Sequence, residues 1–415
     1  MRPFPRFLTL ALAAIAAVAV THDAAAQAPK RFTGSPVTIV DQGSFFIGGQ
    51  TKITEHASIP GGPPGQTPPA PTPQQITIGQ VYVQFQIPGK IKGPGWPVIM
   101  VHGSTHSGAA LESTPDEREG WYPYFVRKGV ATYVVDQAGR GRSGFDHSVL
   151  HEARSKALAG DAAGAAALLP NFGRISDTQA WTFWFGHLLP AGSTIANGGR
   201  LIKHGDPGDP QMESATANPK EPHVAPAFPL DAVGEYYKQL LPNAEVTLPG
   251  STCATCTPQE LAPAHTWTPQ GLALLVERLG GAVIATHSQS GIMGHHAVRI
   301  LKERGHLNLV KGLITIEGGC SLPQSGLTAA DFDAIPYLVV KGDYANVSQQ
   351  CQATVDAINN RRAEKQGTAK ADYFKLDEMG MPGVTHMMML DTKNLEIADL
   401  MLDWTGKHVA KAPKR

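Results

Sequence analysis

Five short apolar runs constrain this chain more than any other feature: Val98 to Val101, Ala131 to Val135, Ala282 to Ala285, Leu313 to Ile316 and Tyr337 to Val340. Apolar side chains at nearly every position, broken only by Thr132 and Thr315, rather than at every second one, mean that both faces of each strand are covered. Segments with helical signals separate the runs. Pro269 to Leu279, for example, has Thr268 as its expected cap, Pro269 at its first position and Gly280 at its stop. Strands alternating with helices imply an α/β chain with a mostly parallel sheet flanked by helices. Ahead of these runs, Val37 to Val40 and Ile76 to Ile87 alternate apolar and polar residues, as strands of an antiparallel edge do. The Pro- and Gly-rich stretch Pro60 to Pro73 between them reads as an extended surface loop.

One interval breaks the rhythm. Residues 145–264 offer no buried strand, although they lie between two of them, and read as a cap inserted into a core made of residues 27–144 and 265–408. The insertion holds an Ala-rich helix near Ala153 to Leu169, an aromatic cluster of Trp181, Phe183, Trp184 and Phe185, and a helix near Asp231 to Leu241. The aromatics fit packing of the cap on the core, and their functional reading is an apolar wall of a substrate pocket. A last helix is expected near Asn394 to Trp404, and residues 409–415 read as a disordered, solvated tail.

The N-terminus has the pattern of an export signal over residues 1–26: Arg2 and Arg6, an apolar run from Phe7 to Val20, then Ala24-Ala25-Ala26 before Gln27. The apolar run is short of the roughly 20 residues a membrane span needs, and no later stretch comes closer. The expected location is therefore secreted or periplasmic, with no membrane span, and the four cysteines of an exported chain are expected to be bridged. Lys plus Arg equals Asp plus Glu at 35 each, so no excess positive charge draws in a nucleic acid. Oligomeric state is not legible.

The strongest chemical signal is Ala285-Thr286-His287-Ser288-Gln289-Ser290-Gly291, which follows an apolar run and opens a helical segment. A sharp strand-to-helix turn crowds the backbone and needs small residues two positions either side of its central serine. Here Thr286 and Ser290 stand where glycines are usual. Such a turn lifts the Ser288 hydroxyl clear of the sheet as a nucleophile, with Ser290 the next candidate. A hydroxyl needs a base, and among sixteen histidines His386 stands out in the loop Gly383-Val384-Thr385-His386 just before the last helix. His287 and His102 read as structural hydrogen-bonding partners, and no histidine has a zinc-site spacing with a carboxylate. The oxyanion of acyl transfer needs backbone donors, and the amides of Gln289 and Ser104 fit, the latter in Val101-His102-Gly103-Ser104-Thr105. Two carboxylates follow later runs, Glu317 and Asp343, and either loop can reach the base. The run Asp136 to Ser143 lacks both the phosphate-loop ending and the dinucleotide spacing, which excludes a nucleotide site there. No cofactor is implied.

These residues together resemble the α/β-hydrolase fold, and within it the secreted bacterial esterases of the Alcaligenes type. The resemblance covers about Val98 to Trp404. Its specific pieces are Glu119-Gly120-Trp121 with Phe125 to Gly144, His287 to Ile292, Glu317 to Cys320, and His386 to Met389 with Asn394-Leu395. It implies a serine esterase with nucleophile Ser288, base His386 and acid Glu317, whereas the precedent of the fold at large favours Asp343. The Alcaligenes member has two adjacent cysteines after its His-Gly pair, where this chain has Ser104-Thr105. With Cys320 just after the acid loop and Cys351 opening the helix after the next strand, those two are expected to pair, leaving Cys253 and Cys256 as a small local loop. The expected activity is hydrolysis of small carboxylic esters through an acyl-enzyme on Ser288. An amidase, lactonase or carbon-carbon hydrolase on the same residues is the alternative, and a non-catalytic binding protein the rival from another class.

Overall fold

The apolar runs lie side by side in one sheet. A computed structural model describes residues 32–413 apart from 60–69, 191, 203–225, 250–265, 343–347 and 366–369. The strands in chain order are β1 Ile39–Thr54, β2 Gln74–Pro88, β3 Val98–Val101, β4 Thr132–Asp136, β5 His187–Leu189, β6 Arg200–Ile202, β7 Ala282–His287, β8 Val310–Ile316, β9 Tyr337–Lys341 and β10 Ala371–Lys375. Eight of them form a sheet in the order β1-β2-β4-β3-β7-β8-β9-β10. The β1/β2 and β2/β4 pairs are antiparallel and every pair from β4 to β10 is parallel. This is the mostly parallel, helix-flanked sheet of the α/β-hydrolase fold. The expected signal peptide, most of the Pro-rich loop, Cys253, Cys256 and Asp343 lie outside the described residues.

Two cores explain why the runs are apolar on both faces. Val98 and Met100 of β3 face one side, with Trp121, Phe125, Ile397, Met401 and Trp404 from the helices Trp121–Arg127 and Asn394–His408. Ile99 and Val101 face the other side, with Leu272, Leu275, Val276, Val298 and Leu301 from the helices Trp267–Leu279 and Ser290–Glu303. Each such fully buried aliphatic side chain contributes roughly 1.5–3 kcal/mol. Among the described residues no helix is long and apolar enough to cross a membrane.

Several local expectations are corrected. The helix expected from Pro269 begins at Trp267 with Thr266 as N-cap residue, and Thr268 lies inside it. The Thr268 hydroxyl accepts the Ala138 amide at 3.1 Å instead of capping, which ties the helix to the turn after β4. The Ala-rich helix is two, Ser148–Leu158 and Ala162–Leu168. Gly160 takes φ +84° between them and Asp161 accepts the Gly164 amide, restarting the chain as a new N-terminus. The helix expected over Asp231 to Leu241 shrinks to Val233–Tyr237 after a turn of 3-10 helix, Leu230–Ala232. The chain expected to fray after Trp404 stays helical to His408. Val409 is buried, Trp96 Nε1 donates to the Ala410 carbonyl at 2.9 Å and Ala412 N to the Pro94 carbonyl at 2.7 Å, so residues 409–413 are docked rather than disordered. In the main sheet two strands were not legible: β10, which is half-buried for most of its length, and most of β1, which is largely exposed; the short β5 and β6 were not legible either.

Between β4 and β7, the described residues add no strand to the main sheet. Their two short strands β5 and β6 pair with each other. Within this interval Trp181, Phe185, Phe228 and Tyr236 bury their rings against one another and join the core under the helix Asn394–His408. The aromatic cluster divides: Trp181 and Phe185 pack, Phe183 is 62% exposed, and half-buried Trp184 lies against His386.

Candidate active site

Ser288 sits between the end of β7 and the start of the helix Ser290–Glu303, with φ +55°, in the left-handed region that L-residues avoid. A residue held there costs on the order of 1–3 kcal/mol and persists only where its surroundings over-determine it. They do so here. Ser288 N donates to the Ile316 carbonyl and its own carbonyl accepts Gly291 N, both at 2.9 Å. A side chain on Gly318 would come within 2.7 Å of the Ser288 carbonyl oxygen, and one on Gly103 within 2.8 Å of Ser288 Cβ. Thr286 is tolerated in place of a glycine because Gly294 of the following helix opposes it, where a Cβ would meet Thr286 Cγ2 at 2.9 Å. The Ser290 hydroxyl is buried, accepts His287 N at 2.9 Å and faces the Val101 and His287 carbonyls at 3.0 and 2.8 Å. It serves the turn.

His386 lies in the loop between β10 and the last helix, where Thr385 is held by both carboxylate oxygens of buried Asp391 at 2.7 and 2.8 Å. His386 Nε2 stands 2.9 Å from Ser288 Oγ, and Nδ1 stands 3.2 Å from Glu317 Oε2. Buried Glu317 follows β8 with φ +49°, donates its amide to the Val340 carbonyl at 2.9 Å, and accepts the Gly342 amide on Oε1. Ser288 and Glu317, at the ends of neighbouring strands β7 and β8, therefore meet His386 from the loop before the last helix. Asp343 is outside the described residues. With the His386 proton on Nδ1 toward the carboxylate, Nε2 is a free lone pair aimed at the serine hydroxyl, the arrangement that lets an imidazole take its proton.

Three further histidines surround the site, each with the hydrogen-bonding pattern of a neutral ring. His287 Nε2 donates to the His386 carbonyl at 2.8 Å. His102 Nδ1 donates to the Gly103 carbonyl at 2.8 Å while its Nε2 accepts Gln137 N at 3.1 Å. His106 Nδ1 donates to the Ser104 carbonyl at 2.7 Å and its Nε2 faces the Tyr236 hydroxyl at 3.2 Å. Burial away from water disfavours the charged form of all three. It lowers His102 to about 4, His106 to about 3 and His287 well below the usual imidazole value.

The amides of Ser104 and Gln289 lie one in the loop after β3 and one directly after Ser288. Neither donates a hydrogen bond to a described residue. The charge behind them was not anticipated: Arg140 is fully buried, pairs with both Glu245 oxygens through its Nε and Nη2, and donates to the Gly103 carbonyl at 3.1 Å and to Gln289 Oε1 at 2.7 Å. Arg140 belongs to the run Asp136 to Ser143, in which no local pattern marks it out from its neighbours, and Glu245 comes from the inserted interval, where nothing in the residue order marks it either. The disulfide joins Cys320 to Cys351 with Cα atoms 5.0 Å apart, fastening the loop after Glu317 to the helix Ser348–Lys365. Among the described residues no group of three or more His, Cys, Asp or Glu is arranged to hold a metal ion.

A solved structure of a bacterial esterase is similar to this chain. It shares 30% identity and a TM-score of 0.68, over 92% of this chain and 100% of that one. The probable secreted lipase phiG of a fungal species is 23% identical over 92% of this chain and 93% of its own length. No protein-family model matches.

Proposed function

Because this chain belongs to the family of that bacterial esterase within the α/β hydrolases, we propose that it is a carboxylic-ester hydrolase working through an acyl-enzyme on Ser288. The observation that carries the reading is the 2.9 Å approach of His386 Nε2 to Ser288 Oγ, on a serine raised by its left-handed backbone. As Ser288 Oγ attacks the ester carbonyl, its proton passes to His386 Nε2. Glu317, 3.2 Å from Nδ1, orients the ring and balances the imidazolium. The carbonyl oxygen, now negative, is received by the amides of Ser104 and Gln289. Collapse returns the proton to the leaving alcohol, and water then repeats the cycle on the acyl-enzyme.

The same proposal assigns residues 145–264 to a cap over this site and residues 1–26 to an export signal, so that the enzyme acts outside the cytoplasm on small esters. The disulfide is in keeping with an oxidising compartment. The relation to the Alcaligenes-type esterases rests on the motifs quoted above, without the vicinal cysteines, since Ser104-Thr105 stand in their place.

A panel of p-nitrophenyl esters of increasing acyl length, followed by amides and lactones, tests the reading. Turnover of esters is expected, with its near-complete loss in Ser288→Ala and loss of fluorophosphonate labelling. Wild-type enzyme that hydrolyses no ester, or a Ser288→Ala protein labelled at the wild-type rate, overturns it.

A further inference from the structure

Local ties in the loop Gly103-Ser104-Thr105 reach only its first two carbonyls, which accept His102 Nδ1 and His106 Nδ1 at 2.8 and 2.7 Å. Thr105 is in the left-handed region at φ +57°, a conformation an L-residue leaves unless it is tied down. The ties come from a segment more than a hundred residues away. Leu241 N donates to the Thr105 carbonyl at 2.8 Å, Asn243 Oδ1 accepts Thr105 N at 2.9 Å, and Asn243 Nδ2 donates to Ser104 Oγ at 3.0 Å. Asn243 is itself fixed, since its amide donates to the Gly173 carbonyl at 2.8 Å. Two residues on, Glu245 holds Arg140, whose guanidinium takes the Gly103 carbonyl at 3.1 Å.

From this juxtaposition we infer that Asn243 is a positioning residue for the oxyanion-binding amide, an inference that rests on the ester-hydrolase reading above. Of two successive amides in the loop, Asn243 engages that of Thr105 and leaves that of Ser104 for the substrate. The side-chain amide suits this task because it accepts and donates at once: its oxygen takes the Thr105 N–H and its nitrogen anchors the neighbouring Ser104 hydroxyl. Arg140 fixes the loop from the other side through Gly103, and reaches Gln289, which carries the second oxyanion donor. The interval inserted between β4 and β7 thus supplies part of the scaffold of the oxyanion site.

The test compares wild type with Asn243→Ala on a p-nitrophenyl ester and on an aryl trifluoromethyl ketone. Ser288 adds to the ketone carbonyl, its proton passing to His386, and the former carbonyl oxygen becomes an oxyanion. Asn243→Ala is expected to lower kcat by about 10- to 100-fold with KM within about threefold, and to raise the ketone Ki by the same factor as kcat/KM falls. A kcat within about twofold of wild type, a loss confined to KM, or a fall in kcat with Ki unmoved overturns the inference. Should circular dichroism show Asn243→Ala unfolded, Asn243→Asp takes its place. It keeps the acceptor for Thr105 N and sets a negative charge beside the oxyanion site, so the same paired loss in kcat and Ki is expected and the same outcomes overturn the inference. Wild-type enzyme that neither turns over esters nor reacts with fluorophosphonate sinks the underlying reading instead, and is distinguishable because it appears before any substitution is made.

Discussion

Trp184 lies almost parallel to His386, with ring centroids 5.9 Å apart and planes 22° from each other, and its carbonyl accepts the His386 amide at 3.2 Å. Trp184 thus restrains the proposed base twice, its carbonyl holding the backbone of His386 and its indole the ring. A stacked aromatic pair is worth about 0.5–1.5 kcal/mol beyond its buried area. Trp184→Leu keeps the carbonyl and removes the stack, so kcat on a p-nitrophenyl ester is expected to fall roughly twofold to tenfold. Steady-state kinetics beside far-UV circular dichroism checks this. Unchanged kcat, with only KM affected, counts against a role in orienting the base.

The acid is open to a direct comparison. Glu317 faces His386 with one carboxylate oxygen and takes the Gly342 amide with the other, so Glu317→Gln preserves size and removes the charge. Loss of the charge that holds the imidazole in its tautomer is worth a factor of ~10⁴ in turnover where it has been isolated. The expected result is a loss of that order in Glu317→Gln and a small effect in Asp343→Asn, both read against circular dichroism. The reverse ranking transfers the role to Asp343.

Much of this arrangement was legible, for reasons that differ from residue to residue. Runs such as Val98 to Val101 and Tyr337 to Val340 were readable because burial on both faces leaves no charged position to break them. The turn around Ser288 was readable because crowding there restricts which residues fit, and the pairing of Cys320 with Cys351 followed from where their loops leave the sheet. Exposed strand β1 and half-buried β10 lacked such a signature, since little of their surface is tied to the core. Thr268 misled because a threonine before a proline looks like a cap, while its hydroxyl was committed to the turn after β4. Asn243, Arg140 and Glu245 were invisible because their importance depends on which distant backbone groups they meet, and nothing local in the chain encodes that.

The disulfide should matter to stability more than to chemistry. It closes a loop across a sequence separation of 31 between the end of β8 and the helix Ser348–Lys365. A closure of that length contributes on the order of 3 to 4 kcal/mol by restricting the unfolded chain. The double variant Cys320→Ser/Cys351→Ser is therefore expected to unfold at a lower urea midpoint with a slope equal to or steeper than that of wild type, because its unfolded chain is less compact, while retaining ester turnover under native conditions. A midpoint equal to that of wild type rejects this account.

Acid sensitivity should come from imidazoles buried in their neutral form, and His295 offers a way to isolate one of them. It lies on the helix Ser290–Glu303, packed against Phe332 and Tyr337, with Nδ1 donating to the Gly291 carbonyl at 2.9 Å. Burial lowers it to about 4, alongside His102 at about 4 and His106 at about 3. In the unfolded chain each returns to about 6.5. Between those values the unfolded state binds protons that the folded state does not, so stability is fully present above about pH 6.5 and is lost as pH falls toward 4. Each such imidazole contributes a slope of about 1.4 kcal/mol per pH unit within that window. Urea unfolding of wild type at pH 7.5, 6 and 5 should show stability falling with acid, and His295→Leu should flatten the slope between pH 6 and 5 by about one proton. A slope identical in the two proteins would mean that His295 does not take up its proton on unfolding, and that the acid limb belongs to other groups.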